Sequence, residues 1–263
     1  MFSCHSCENF QLLTSFKQCL YIFKKEKSCG RTNAVGWKQH IKRIIPTSVL
    51  NATLLQFPGL YKTHLVYYES AFLMKEIDAL LHQLTFALDC KGDIVECGSS
   101  RCGTSIIMAN FLRSKGTKKT IYALDSFEGF DQVELEREKQ AGLTTVPDNA
   151  CSSTSYEYVR KKIKRLGVED IVVPKQGFFQ DTLSHFDTPL CFSLIDCNLK
   201  DSIEYCAEAI WPHLVSGGRI VFDDYESQKF LGAKSGIDSF VNKYLHEFSE
   251  YGLRNNLYYA RKK

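Results

Sequence analysis

Long apolar runs are missing from this sequence. No uninterrupted stretch is long enough to span a bilayer, so a helical membrane anchor is not expected. A secretory signal is not expected either: the N-terminus carries Glu8, and the apolar residues of 10–23 are broken by Lys17 and Gln18. Strong net charge is also absent. A formal charge of +3 is too mild to point to nucleic acid or to a membrane surface. The densest basic run, VRKKIKRLG at 159–167, reads as the solvent face of an amphipathic helix closed by Gly167. Internal repeats and low-complexity tracts are absent too.

A disulfide pattern is lacking although cysteine is plentiful. The 11 cysteines are odd in number and scattered, and Cys97, Cys191 and Cys206 fall inside apolar segments. There a reduced thiol behaves as a small hydrophobe. The expectation is a cytoplasmic protein in a reducing compartment, without a disulfide framework. A lone Cys-x-x-Cys, CHSC at 4–7, is followed by Cys19 and Cys29 in a spacing that fits no usual zinc pattern. Residues 1–60 are therefore read as an N-terminal extension of unclear structure, with one helix around 35–45. Residues 61–263 are read as the main domain.

What is present is an alternation of strands and helices. With 44% apolar residues and 18 Phe, a large core is available. From Tyr67 to Leu88, Leu73, Ile77, Leu80, Leu81, Leu84 and Leu88 recur at three- and four-residue intervals, the mark of an amphipathic helix. GDIVECG then reads as a buried strand and GTSIIMANFLRSKG as a helix closed by Gly116. TIYALDS, EDIVVPKQG, PLCFSLID, GGRIVFDD and NLYYARK read as further strands, with helices at 153–166, SIEYCAEAIWPHL and GAKSGIDSFVNKYLHEF. This order predicts an α/β fold with a mostly parallel sheet covered on both faces. The polar stretch 131–152 reads either as a mobile lid or as an ordinary surface excursion.

In such a sheet, ligands sit outside the carboxyl ends of the strands. Those ends carry Glu96, Asp125, Asp196 and the pair Asp223–Asp224. One strand-end acid is often only a helix cap; four such positions on one rim suggest a site. The loop VECGSSRCGTS joins the first strand to a helix, so amides at the helix start are placed to face an anionic group. Ser100 holds the middle glycine position, so the loop is not Gly-x-Gly-x-x-Gly, and no Gly-Lys-Ser/Thr follows to make a P-loop. Asp125 is placed to accept ribose hydroxyls, or simply to cap its turn; Phe127 or Phe130 would flank an adenine ring, or fill the core.

These motifs carry a resemblance. VECGSSRCGTS, YALDSFEGF, GFFQDTL, LIDCNLKDS and GGRIVFDDY are similar, in order and spacing, to the macrocin O-methyltransferase family, from roughly Asp93 to Val241. Residues 1–60 show no such match. The family's members are class I S-adenosylmethionine-dependent enzymes that methylate sugar hydroxyls of bacterial natural products. The resemblance implies a doubly wound, Rossmann-like seven-stranded sheet and S-adenosylmethionine as cofactor. It assigns the cofactor site to Glu96, Gly98, Ser100, Arg101, Gly103, Thr104, Asp125, Ser126, Phe127, Gly177, Phe178 and Asp196. It also implies Mg²⁺ on Asp196, Asp223 and Asp224, oxygen ligands suited to a hard cation. The partner implied is a small-molecule acceptor with a diol, with no nucleic acid or membrane, and a homo-oligomer is possible within the family.

One departure bears on mechanism. The resembling enzymes carry Asp-x-Asp where this chain has Asp196-Cys197-Asn198. An asparagine amide hydrogen-bonds a hydroxyl but does not accept its proton at neutral pH. Lys200 is then the candidate base, by analogy with a lysine close behind the equivalent acid in Mg²⁺-dependent catechol-type enzymes, although it stands one residue further on. The alternative is a surface lysine opening a helix. His185 and His213 are weaker candidates, because neither sits at a strand tip. Three functional readings stand: an Mg²⁺-dependent O-methyltransferase, a cofactor-binding protein of the same fold with altered chemistry, and a methyltransferase with a non-hydroxyl acceptor.

Overall fold

A computed structural model describes residues 68–263. The expected N-terminal extension, its boundary at 60/61, its cysteines and the helix around 35–45 lie outside the described residues. The periodicity over Tyr67–Leu88 resolves to helix α1, Met74–Ala87, which buries Ile77, Leu80 and Leu84. Its first turn is closed by Glu76, whose carboxylate accepts the Leu73 amide at 2.6 Å. The chain then runs through β1 (Asp93–Cys97), α2 (Gly103–Ser114), β2 (Ile121–Asp125), α3 (Gln132–Gln140), α4 (Tyr156–Arg165) and β3 (Val172–Gln176). A single-turn helix α5 (Phe179–Thr182) leads to β4 (Leu190–Ile195), α6 (Lys200–Ile210), β5 (Leu214–Phe222) and α7 (Leu231–Tyr244). The antiparallel strands β6 (Phe248–Arg254) and β7 (Leu257–Lys262) end the chain.

The seven strands form one sheet in the order β3-β2-β1-β4-β5-β7-β6. The five strands β1–β5 are parallel, and β7 and β6 add an antiparallel edge. Central strands β1 and β4 are almost entirely buried, which is why they read as continuous apolar runs rather than alternating ones. Successive β1 residues point to opposite faces. Ile94 joins a core with Leu80, Ile106 and Ile163 of α1, α2 and α4, while Val95 joins one with Ile203 and Ile237 of α6 and α7. Pro174 is tolerated in β3 because that strand is an edge with one neighbour only.

Besides the single-turn α5, two elements escape the sequence reading. β6 is an exposed edge strand that lacks an apolar run, so the preceding helix pattern had been extended across its start. The residue signal for the hairpin is Asn255-Asn256, both left-handed with φ of 52° and 70°. Helix α3 lies inside the polar stretch 131–152, where its buried face is built from Glu134, Leu135 and Glu138 rather than from an apolar stripe. No helix among the described residues is long and apolar enough to cross a membrane. All seven described cysteines are free thiols.

Candidate active site

Sheet register brings the acids together. Ile195 pairs with Phe222, and the ladder continues one residue beyond the strand ends: the Asp196 amide donates to Cys97 O at 2.8 Å, and the Asp223 amide to Ile195 O at 2.9 Å. Asp196 and Asp223 are thus neighbours at the tips of β4 and β5. The chain turns sharply after each strand, with Asn198 at φ 65° and Asp224 at φ 61°. Asparagine accepts this left-handed geometry more readily than most residues. One carboxylate oxygen from each of Asp196, Asp223 and Asp224 lies within 4.8 Å of the other two.

The electrostatics of this triad are unfavourable without a counter-charge. Burial, followed by the charges of Asp223 and Asp224, holds the Asp196 carboxyl well above its ordinary range. Burial and the charge of Asp224 push Asp223 up to about 7. Asp224 is raised mainly by burial, against a hydrogen bond from Asn198 Nδ2 to its Oδ2. Asp223 Oδ1 is buried and has no hydrogen-bond partner among the described residues. An orphaned carboxylate oxygen among three crowded acids is a donor set suited to a hard divalent cation.

Beside the triad a pocket opens at the switch point between β1 and β4, lined by Gly98, Ser100, Asp125, Gly177, Phe178 and Asp196. Gly98 has φ 87°, and a side chain there would drive its Cβ to 2.0 Å from Asp196 O, so only glycine lets the loop pass over β4. Asp125 holds its own turn and also lines the pocket. Its oxygens accept the amides of Ser100 (2.8 Å) and Phe127 (2.6 Å), which fixes the turn and leaves further lone pairs facing the pocket. Burial raises its pKa against those two hydrogen bonds. Ser126 also lines the pocket, and its hydroxyl donates to Gly129 O at 2.6 Å.

Several predicted residues stand elsewhere. Phe127 is sealed in the core against Tyr156; Phe130, Phe178 and Phe179 are the rings that reach the pocket. Glu96 is fully buried behind the loop, takes a hydrogen bond from Ser105 Oγ, and is raised to about 8 by burial. Gly103 permits close approach of the backbone of Ser70, 2.4 Å from where a Cβ would lie, and Thr104 shares a 2.9 Å hydroxyl contact with Ser70. Arg101 reaches Glu69 (3.4 Å) and donates to Ser153 O (3.0 Å). These four support the loop from behind and do not line the pocket.

Lys200 stands among acids at the start of α6. Its ammonium pairs with Glu204 at 3.1 Å and Asp201 at 3.6 Å, and the hydrogen bond to Glu204 raises its pKa. A base needs the opposite shift. It is the Lys200 amide, not the side chain, that meets the site's surroundings: it donates to Glu138 at 2.6 Å. Glu134 likewise accepts the amide (2.9 Å) and hydroxyl (2.6 Å) of Ser202, so α3 caps the start of α6 with two carboxylates. Asp131, three residues before Glu134, caps α3 itself through the amides of Val133 and Glu134. That Asp-x-x-Glu spacing is the signal that would have revealed α3. His185 and His213 do not line the pocket.

Comparison with known proteins agrees with this geometry. The model of the macrocin O-methyltransferase family (TylF) matches residues 73–247. A tetracenomycin-C 4'-O-methyltransferase, acting on the 8-demethyl-8-(2,3-dimethoxy-alpha-L-rhamnosyl) compound in Streptomyces olivaceus, is 32% identical over 166 residues, 58% of this chain and 60% of its own. Demethyldecarbamoylnovobiocin O-methyltransferase of Streptomyces niveus is 30% identical over 141 residues, 51% of this chain and 53% of its own. The chain therefore matches somewhat more than half the length of each relative. Among solved structures, the O-methyltransferase NovP superposes with a TM-score of 0.62 at 22% identity, over 72% of this chain and 80% of that one. A calicheamicin methyltransferase gives 0.59 at 17% identity, over 82% and 91%. Both likenesses show the fold. With two thirds of its residues matched by the family model, the chain belongs to the macrocin O-methyltransferase family.

Proposed function

We propose that the protein is an S-adenosylmethionine-dependent, Mg²⁺-dependent O-methyltransferase acting on a hydroxyl of a sugar or other small diol-bearing metabolite. The observation that carries this reading is the orphaned Asp223 Oδ1 in a triad that directly adjoins the pocket at the switch point. The methyl donor supplies an electrophilic sulfonium methyl, so the protein's task is alignment and removal of one proton. Asp125 would hold the donor ribose, with Gly98 and Ser100 passing beneath it and Phe178 presenting a ring toward its base. Asp196, Asp223 and Asp224 would hold Mg²⁺, a Lewis acid that lowers the pKa of a bound hydroxyl. Asn198 orients Asp224 through its amide and takes no proton itself.

That amide also favours a second reading, in which the fold binds donor and cation but no longer performs transfer to an aliphatic hydroxyl. Calorimetry separates the cases. Wild type should bind both S-adenosylhomocysteine and Mg²⁺, whereas Asp223→Ala should lose Mg²⁺ and keep S-adenosylhomocysteine. Donor binding without any Mg²⁺ binding in wild type would refute metal dependence. Binding of both, with no methyl transfer to any diol tried, would favour the second reading.

A further inference from the structure

Lys162 contradicts the simple view of its basic run. Its neighbours Lys161 and Lys164 face solvent, but Lys162 turns inward and is 2% exposed. A buried ammonium costs several kcal/mol unless oxygen partners replace its water. Here the partners are specific. The ammonium donates to Arg101 O at 2.7 Å and to Tyr68 O at 2.5 Å, and pairs with Glu69 Oε2 at 3.0 Å. Glu69 also accepts the Tyr158 hydroxyl at 2.6 Å and meets Arg101 at 3.4 Å.

The position of Arg101 gives this network its meaning. It lies between Ser100 and Cys102, both left-handed at φ 45° and 53°, an uncommon geometry for side-chain-bearing residues. Backbone hydrogen bonds from Ser99 to Leu124 O and from Cys102 to Ser99 O brace this loop, and it is also anchored on both sides. On the pocket side, the Ser100 amide is held by Asp125; on the far side, the Arg101 carbonyl is held by Lys162. The Arg101 guanidinium extends the same network to Ser153, two residues from Cys151 on the pocket wall.

We propose that Lys162 and Glu69 form a latch that fixes the Ser99–Cys102 loop in its binding shape, so that affinity for the methyl donor depends on two side chains that do not touch it. They are positioning residues, and the inference rests on the pocket being the donor site. The latch works from behind the loop: removing the ammonium frees the Arg101 carbonyl to rotate, and the Ser100 amide then loses its alignment with Asp125.

The test is calorimetric binding of S-adenosylhomocysteine to wild type, Lys162→Met, Glu69→Gln and Tyr158→Phe, with thermal midpoints and hydrogen exchange of the 99–102 amides measured in parallel. Loss of a charged hydrogen bond predicts roughly tenfold or greater weakening for Lys162→Met and a few-fold weakening for the other two. Exchange at 99–102 should rise in step with the lost affinity. Because Tyr158→Phe removes only a hydroxyl at the half-exposed end of the network, it should keep its thermal midpoint while losing affinity. Should Lys162→Met fail to fold, Glu69→Gln and Tyr158→Phe decide. Wild-type affinity in the folded variants would overturn the latch while leaving the donor site intact. No binding by wild type itself would overturn both.

Discussion

Glu96 and Asp125 end neighbouring strands, yet their surroundings give them different work. Asp125 meets the pocket and is held by two backbone amides, whereas Glu96 is sealed behind the loop and hydrogen-bonds to Ser105. Burial raises Glu96 to about 8. Between its ordinary value of 4.5 and that value, the folded chain retains a proton that the unfolded chain has released, so this residue's contribution to stability falls as pH rises through that window. Glu96→Gln removes that dependence. Thermal unfolding should show the variant gaining on wild type between pH 5 and pH 8.5; a constant gap across that range would contradict the assignment. At this scale the sequence was legible where position alone decides. Asp125, Asp196, Asp223 and Asp224 follow from strand ends. The inward turn of Lys162 and the burial of Phe127 do not, because tertiary packing sets the side chain's direction.

Helix α3 shows how an element can be held by polar contacts rather than by an apolar stripe. Its carboxylates cap α6, and Thr144 beyond it donates to Lys229 O at 2.8 Å while Leu143 O accepts the Leu231 amide at 2.9 Å. The stretch 131–152 is therefore docked onto the starts of both α6 and α7. Losing a cap of this kind costs about 1–2 kcal/mol, so Glu134→Ala should lower stability by that amount. Limited proteolysis should then cut first within 131–152; unchanged resistance there would argue against docking through Glu134. The parallel strands were legible because both their faces are buried and apolar residues run together. β6 was not: it is half exposed, and it is tied to the sheet by a polar pair, Glu250 accepting from the buried Arg219 at 2.6 Å. Long-range pairs of this kind leave no local periodicity.

Across the whole molecule, topology does what no single motif does. Strands β1 and β4 are far apart in sequence and adjacent in the sheet, and the reversal of strand order between them opens the pocket beside the acids of β4 and β5. The resemblance had implied seven strands where the residues alone marked six, and the edge strand β6 accounts for the difference. Asn198, where the resemblance implies a second acid, turns toward Asp224 as a hydrogen-bond donor. The proposed donor pocket and the proposed three-carboxylate cation site share a wall at Asp196. Crystals soaked with S-adenosylhomocysteine and Mn²⁺ test this arrangement directly. An anomalous peak bound by Asp196, Asp223 and Asp224 is expected, with the ribose hydroxyls on Asp125. A ligand seated away from Asp125, or a triad that stays metal-free at saturating Mn²⁺, would contradict it.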